Sequence, residues 1–293
     1  EPTLMMAIVP RTKGDEDKLG NAINRLLEED PTLRYEKNAE TKQTVLTGMG
    51  EAHLNIVIGR LASKFGVEVD PVEMKVPYRE SIRGSAKMVE GKHKKQSGGH
   101  GQYGHVKIDI EYDPDNEFSF EEKIFGGAVP KQYIPAVEKG MREAMAEGVL
   151  AGFPATNIKI TLVDGSYHDV DSSEMAFKIA ANLAFKKGCE QAKPILLEPI
   201  MDVDILVPDQ FMGDIMGDMN TKRGRIMGME QQGKRQLIHA QAPLAEMYRY
   251  AIDLKSITQG RGKFTMKFAK YEEVPANIAE KVIAAAKAEK ENE

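Results

Sequence analysis

Apolar residues recur with two periods along the chain, and near each end the two periods alternate in the same order. Thr3–Val9 is a short apolar run that reads as a strand, left at Pro10. From Asp15 onward, Leu19, Ile23, Leu26 and Leu27 recur at helical spacing and stop at Asp30-Pro31. The runs Thr32–Glu36 and Thr44–Met49 predict two strands. Leu54, Val57, Ile58, Leu61 and Phe65 then predict a second amphipathic helix, closed by Gly66, with Val67–Val69 as a last strand. The order strand, helix, strand, strand, helix, strand is that of a split β-α-β, ferredoxin-like unit.

The same order returns near the end. Ile200–Val207 predicts a strand after Glu198-Pro199, and Met212, Ile215, Met216 and Met219 predict a helix with core rather than partner-groove spacing. Arg225–Met229 and Gln236–Ala240 read as strands, Leu244, Met247 and Ala251 as a helix, and Lys263–Phe268 as a final strand. Both halves share a Glu-Pro start (Glu1-Pro2, Glu198-Pro199) and a Val-Pro exit from the first strand (Val9-Pro10, Val207-Pro208), a weak internal repeat.

The middle has another pattern. Ser85–Val89 and Val106–Tyr112 predict strands joined by a long polar loop, Phe118–Ile124 a further strand, and Ile134, Val137, Met141 and Met145 a helix. Ile158–Val163 predicts a strand running into a turn at Asp164-Gly165. Asp171 with Glu174 reads as the capping pair of a helix that buries Met175, Ile179 and Leu183. Ala276–Lys290 predicts an Ala-rich tail helix. The expected fold class is α+β in three domains, 1–76, 77–195 and 196–293, the outer two ferredoxin-like and the last including the tail helix.

Composition narrows this picture. A chain of 293 residues exceeds one ordinary domain, and 41% apolar with 29% charged residues suits soluble domains with packed cores. With no Trp and 16 Met, those cores rest on aliphatic residues and Met. Cys189 is the single cysteine, which excludes an intrachain disulfide and fits a cytoplasmic location. No apolar run approaches the roughly 20 residues that span a bilayer, so no membrane partner is expected. No signal peptide pattern is seen, and a start on Glu1-Pro2 that enters an apolar run almost at once reads as a fragment of a longer protein.

A formal net charge of −5 means that nucleic-acid binding must rest on a local patch. One exists. Between Lys87 and Lys107 stand five lysines, three histidines and a single acid, Glu90. The glycines and Ser97 of this segment expose backbone N–H groups, the lysines attract phosphate, Gln and His can bond base edges, and Tyr103 can stack. A bare Lys/Gly loop is usually only a solvated hairpin tip. Here the density of cation, amide and glycine in an acidic chain favours RNA.

Gly99-x-Gly101-x-x-Gly104 matches a dinucleotide fingerprint in letters only. That fingerprint follows an apolar strand and opens a helix, whereas here lysines precede it and the alternating run Val106-x-Ile108-x-Ile110 follows. No G-x-x-x-x-G-K-[S/T] phosphate loop occurs, so no GTP or ATP hydrolysis is expected of this chain alone. In Asp164–Asp171 a histidine, His168, stands beside carboxylates and invites an acid–base reading. Sequence neighbours on a turn seldom face one another, however, and no nucleophile with an orienting partner accompanies them. The plain reading is a polar turn ending in a helix cap; a further one places this turn beside the glycine-rich loop, as the second half of one tip. No catalytic residue is expected. His93, His100 and His105 lack zinc-ligand spacing and Cys189 is remote, so no metal site is expected either.

These motifs carry a family resemblance. Lys95–Val106 resembles the first tip loop of domain IV of elongation factor G, and Gly165–Glu174 the other tip loop with the helix behind it. Thr47–Leu54 resembles the family's domain III signature, and Leu196–Met201 the entry to domain V. The resemblance covers the whole chain as domains III, IV and V. It implies a ribosomal-protein-S5-like α/β fold for the middle domain, and a GTPase domain binding GTP or GDP with magnesium in an amino-terminal part of the parent protein. It also implies a monomer whose partner is the ribosome, with rRNA of both subunits and tRNA–mRNA at the decoding site. Domain III would relay the nucleotide state, and domain V would dock by the sarcin–ricin loop of the large subunit. On the first loop the implied contact residues are Lys94, Lys95, Gln96, Ser97, Gly98, Gly99, His100, Gly101 and Gln102. On the second they are Ser166, Tyr167, His168 and Asp169. They would act as a steric and electrostatic wedge during translocation. Two positions depart from the pattern: family members that perform routine translocation usually carry Arg where His100 stands and Leu where Ala52 stands. The first exchanges a permanent cation for a group titrating near neutrality. The second reads as a packing adjustment. Both point toward a paralogue serving ribosome recycling or protection as the alternative.

Overall fold

The two helical stripes in the first quarter of the chain cover one sheet. The computed structural model describes residues 4–96 and 98–293, so the Glu1-Pro2 start, Thr3 and Ser97 lie outside the described residues. β1 (Leu4–Pro10), α1 (Glu16–Glu29), β2 (Arg34–Lys37), β3 (Thr44–Gly48), α2 (Glu51–Phe65) and β4 (Val69–Val72) follow in that order. The antiparallel sheet runs β2-β3-β1-β4, the ferredoxin-like arrangement. Leu19, Ile23 and Leu26 of α1 and Leu54, Val57 and Leu61 of α2 are buried with Leu4, Ile8 and Leu46 of the sheet. The last strand starts at Val69 rather than Val67, because Val67 closes the helix instead. Its N–H bonds the Leu61 carbonyl, and Gly66, at φ 67°, bonds Ala62.

The motif Thr47–Leu54 has a structural account. His53 Nδ1 accepts the Met49 N–H at 3.0 Å, and Nε2 meets Asp30 at 2.6 Å, tying the start of α2 to the end of α1. Asp30 also accepts the hydroxyl and N–H of Thr32. The Thr32 hydroxyl first and His53 next hold this carboxyl at about 2, below its ordinary 3.8. Ala52 is exposed in the first turn of α2, which removes its reading as a packing adjustment.

The middle comprises β5 (Arg79–Ile82), β6 (Ser85–Lys95), β7 (Gln102–Tyr112), β8 (Phe118–Glu122), α3 (Ile134–Glu147), β9 (Ile158–Ser166) and α4 (Glu174–Gln191). Its sheet runs β6-β7-β9-β8, with β8 parallel to β9 because α3 carries the crossover and the other pairs antiparallel. The expected long polar loop is mostly strand: β6 and β7 pair as far as Lys95↔Gln102, leaving only 96–101 as the hairpin end. Asp164-Gly165 is not a turn. Both stay in β9, where a register shift at Lys107/Ile108 absorbs the irregularity. The helix cap is Ser173, whose hydroxyl accepts the Ala176 N–H at 3.1 Å, not Asp171.

The expected buried face of α4 is also corrected. Met175 is 66% exposed, Leu183 is exposed and Ile179 is half-buried. The buried stripe is Ala176, Phe177, Ala180, Ala181, Ala184, Phe185 and Gly188. Small residues win because they let the helix backbone settle onto β6 and β7. Glu80 is the second device that shapes this region. Fully buried, it accepts the N–H groups of Val149 and Leu150 at 2.6 Å, Ala151 at 3.0 Å and Phe153 at 2.9 Å. Four donors on one carboxylate replace the water it lost and tie down the chain between α3 and β9.

β10 (Pro194–Pro208), α5 (Met212–Thr221), β11 (Arg225–Gln232), β12 (Arg235–Pro243), α6 (Tyr250–Thr258) and β13 (Lys263–Glu273) repeat the first order, with a sheet β11-β12-β10-β13. Ile215 and Met219 of α5 are core, packed with Val203, Ile205 and Ile238. The helix expected from Leu244 begins at Tyr250, and Leu244–Glu246 is only a 3-10 turn. Glu198, 2% exposed, is held bidentately by Arg223 at 2.7 and 3.0 Å. α7 (Ala276–Glu291) buries none of its residues.

By contacts the chain forms two compact units. One joins residues up to Pro77 with Glu198–Tyr271, and within it Ala251 and Ile252 of α6 pack on the first ferredoxin-like core. The other joins Tyr78–Leu197 with Glu272–Glu293, so the tail helix, expected with the last domain, groups with the middle. No described helix is long and apolar enough to cross a membrane.

The lowered pKa of Asp30 fixes the sign of one pH effect. Its contribution to stability is complete above its ordinary 3.8 and fades as pH falls toward about 2. Asp30→Asn is therefore expected to lower the denaturation midpoint at pH 7 and to flatten the decline of stability between pH 4 and 2. Urea titrations across that pH range measure both.

Candidate nucleic-acid interface

The hairpin end 96–101 and the turn after β9 lie at the same end of the middle sheet, because β7 pairs antiparallel with β9 from Tyr112↔Ile158 up to His105↔Ser166. Beyond that pair the two loops remain joined. The Tyr103 N–H donates to the Asp171 carbonyl at 2.9 Å, and Tyr103 and Ser172 form an isolated parallel bridge. A Cβ on Gly101 would stand 2.8 Å from the Asp171 carboxylate and 3.0 Å from the Lys95 carbonyl oxygen, so the second loop lies close against the hairpin end here. Of the two placements open for the Asp164–Asp171 segment, this is the one beside the glycine-rich loop.

A chain of side-chain hydrogen bonds runs beneath the end. Ser166 Oγ meets the Tyr103 hydroxyl at 2.6 Å and His105 Nδ1 at 2.7 Å, and His105 Nε2 meets Glu90 at 2.8 Å. His93 Nε2 bonds Gln102 Oε1 across the hairpin at 2.7 Å. Lys92 Nζ lies 5.6 Å from the centre of the Tyr103 ring, within cation–π range, and that ring lies 6.3 Å from His168. Two of the three histidines thus serve as braces, and among the described residues no group of three or more His, Cys, Asp or Glu could hold a metal.

Above this layer the end is open. Lys94, Lys95, Gln96, Gly98, Gly99, His100 and Gln102 are exposed on the first loop; Gly101 is half-buried, and Ser97 lies outside the described residues. Tyr167, His168 and Asp169 are exposed on the second, whereas Ser166 is half-buried beneath them. Gly99 has a φ of 155° and nothing within 4 Å of a built Cβ, so it is held open by backbone conformation rather than by contact. Neither Lys94 nor Lys95 has an ion-pair partner among the described residues. His168 Nδ1 faces the N–H groups of Val170 and Asp171, each at 3.3 Å, which leaves Nε2 as the outward donor. The ring is 55% exposed and 3.7 Å from Asp171. Its partners close a turn, and a hydrolytic reading draws no support from them. The 99–104 glycine pattern runs through the hairpin end into β7 and does not open a helix, which a dinucleotide fingerprint must do. It therefore does not fit a nucleotide phosphate.

Sequence comparison places all three parts of the chain in one family. Residues 1–73 match Elongation Factor G, domain III; residues 74–193 match Elongation factor G, domain IV; residues 195–282 match Elongation factor G C-terminus. The chain belongs to the elongation factor G family. A solved crystal structure of a protein from Thermus thermophilus shares 45% identity with a TM-score of 0.86 over 98% of this chain. The chain spans 43% of that protein's length. Within the elongation factor G frame, the paired loops belong to the stretch matched to domain IV, and His53 with its Asp30 tie belongs to the stretch matched to domain III.

The paired end depends on how closely α4 approaches the hairpin. A Cβ on Gly104 would stand 2.4 Å from the Ala176 carbonyl oxygen. Gly104→Ala is therefore expected to destabilise the chain by about 1–3 kcal/mol or more, because helix backbone rather than a movable side chain must yield. Chemical denaturation reads the loss.

Proposed function

We propose that this chain is the ribosome-contacting part of an elongation factor whose domain IV end enters the decoding region and promotes movement of tRNA and mRNA. The observation that carries the reading is the joining of an exposed, lysine-bearing glycine loop and the His168 loop into one braced end of the middle sheet. Lys94 and Lys95 supply attraction to phosphate, while Gly98 and Gly99 allow close backbone approach. Gln96, His100, Gln102 and His168 offer groups able to bond base edges or riboses. Tyr167 and Asp169 complete the second loop. The end acts by occupying space and complementing charge, and no catalysis is assigned to it. On this reading the partners are rRNA of both subunits with tRNA–mRNA, the protein works as a cytoplasmic monomer, and GTP or GDP with magnesium belongs to a GTPase domain outside this chain.

A second reading rests on His100, exposed at the hairpin end where translocating relatives usually carry Arg. An imidazole in place of a guanidinium there is the departure on which a recycling or protecting role rests. A subunit-splitting assay with recycling factor separates the two, since a translocase-only protein leaves subunits joined.

Two outcomes test the leading reading. The chain is expected to bind purified ribosomes with an affinity that falls as salt rises, and reversing Lys94 and Lys95 to Glu should shallow the log–log salt slope by about 2. A slope unchanged by the reversals would contradict it. In the parent protein, His168→Ala should slow translocation severalfold while nucleotide binding stays intact; unchanged translocation removes the assigned role.

A further inference from the structure

One more element reaches the same end of the middle sheet. β8 runs parallel to β9 in the register Phe118↔Ile158 to Glu122↔Leu162, so the chain leaving β8 emerges on the flank of the end that carries the paired loops. It is held there on both sides. The Lys123 N–H donates to the Leu162 carbonyl at 2.8 Å, and Ile124 packs on the core. On the return Val129 is 1% exposed, with a methyl 2.6 Å from where a Cβ on Gly165 would stand. Tyr133 then bonds the Ser172 carbonyl of the second loop at 3.3 Å.

Between these fixed points lies a turn. The Ala128 N–H faces the Phe125 carbonyl at 3.4 Å, with Gly126 at φ 65° and Gly127 at φ 69°. Two successive positive φ values are the type I′ pattern, which a Gly-Gly pair adopts without strain. The consequence is that Phe125 stands out of the protein, 93% exposed. Among the described residues the other large exposed hydrophobics reach only 66%. Single exposed apolar residues are ordinary on protein surfaces. A phenylalanine held almost wholly in water between half-buried Ile124 and buried Val129, beside a backbone only glycines adopt easily, is not.

We infer that Phe125 is a third contact of this end, presented to stack on an unpaired RNA base. The inference rests on the reading that this end binds ribosomal RNA. A flat apolar ring suits the face of any base and needs no hydrogen-bond partner. Lys123 and Lys131, both exposed, flank the turn in sequence and can meet the adjoining phosphates, while Glu122 is engaged by the Ile124 N–H at 2.9 Å. The loop would add affinity that is insensitive to base identity, complementing the salt-sensitive lysines of the hairpin. Sequence pattern alone assigned Phe118–Ile124 to a strand and passed over Phe125; the signal was the Gly-Gly pair directly after an aromatic.

The absence of Trp supplies the probe, because Phe125→Trp makes the chain a single-tryptophan protein. The Trp variant is expected to bind purified ribosomes as the unaltered chain does, with its fluorescence quenched and shielded from acrylamide on binding. Phe125→Leu, which keeps an apolar side chain but no ring, is expected to weaken binding about fivefold or more without changing the salt slope. Binding that persists with the tryptophan unquenched and open to acrylamide would overturn the inference and leave the proposed function standing. Shielding without quenching would also overturn it, replacing the base with a protein surface. Failure of the unaltered chain to bind ribosomes at low salt would remove both.

Discussion

The arrangement of the middle unit depends on how closely one helix lies on two strands. Gly91 and Gly104, on neighbouring strands of the hairpin, would place a Cβ 2.1 Å from the Ala180 oxygen and 2.4 Å from the Ala176 oxygen of α4. No side chain fits between these backbones. The helix can therefore sit in only one place on the hairpin, and its first turn carries the Ser172–Ser173 segment against Tyr103. The end of the second loop inherits its position from that contact, as does the Tyr103–Asp171 hydrogen bond. Backbone-to-backbone packing of this kind is dense and poorly compressible, so the end of the sheet it supports has a fixed shape.

Charge is organised at the same scale. The chain is acidic overall, yet the segment Lys87–Lys107 carries five lysines and a single acid, Glu90, which is taken up by His105. A phosphate-bearing partner would meet the local field before the global one, since charges farther than about 8–10 Å are screened at ordinary ionic strength. Net charge is thus a poor guide to what this surface attracts.

How much of this was legible follows from which signals are local. The two ferredoxin-like orders could be read because large aliphatic residues mark both helices and strands there, as Leu19, Ile23 and Leu26 do in α1. The face of α4 could not. Met175, Ile179 and Leu183 make the more conspicuous stripe, but what wins is a set of alanines whose value lies in matching Gly91 and Gly104, far away in sequence. The strand through Asp164-Gly165 was missed because a partner strand, absent from any local window, absorbed the turn signal; the cap at Ser173 was local, and Asp171 with Glu174 only made the more conspicuous pair. The motif residues of both loops were legible, whereas the braces under them were not. Ser166, Tyr103, His105 and Glu90 become one chain of hydrogen bonds only after β7 and β9 are paired. Grouping the tail helix with the middle of the chain likewise required three-dimensional contacts, since α7 buries no residue of its own.

Polar groups in this protein divide into two populations, those satisfied within the fold and those left open at one end of the middle sheet. Glu80 and Glu198 are buried with both carboxylate oxygens hydrogen-bonded, by backbone N–H groups in one case and by the Arg223 fork in the other. Groups so satisfied have no capacity left for a partner; their role ends within the fold. Asp30 and His53 behave in the same way at the junction of α1 and α2. At the end of the middle sheet the pattern reverses in a single step. Beneath, Ser166 and His105 are satisfied; above, Lys94, Lys95, His100 and the outward nitrogen of His168 are positioned but uncommitted. Hydrogen-bonding groups carried on a closely packed support lose less freedom when a partner takes them up than the same groups on a loose loop. The sharpness of that boundary, one layer of side chains deep, is the physical basis on which the proposed docking end rests.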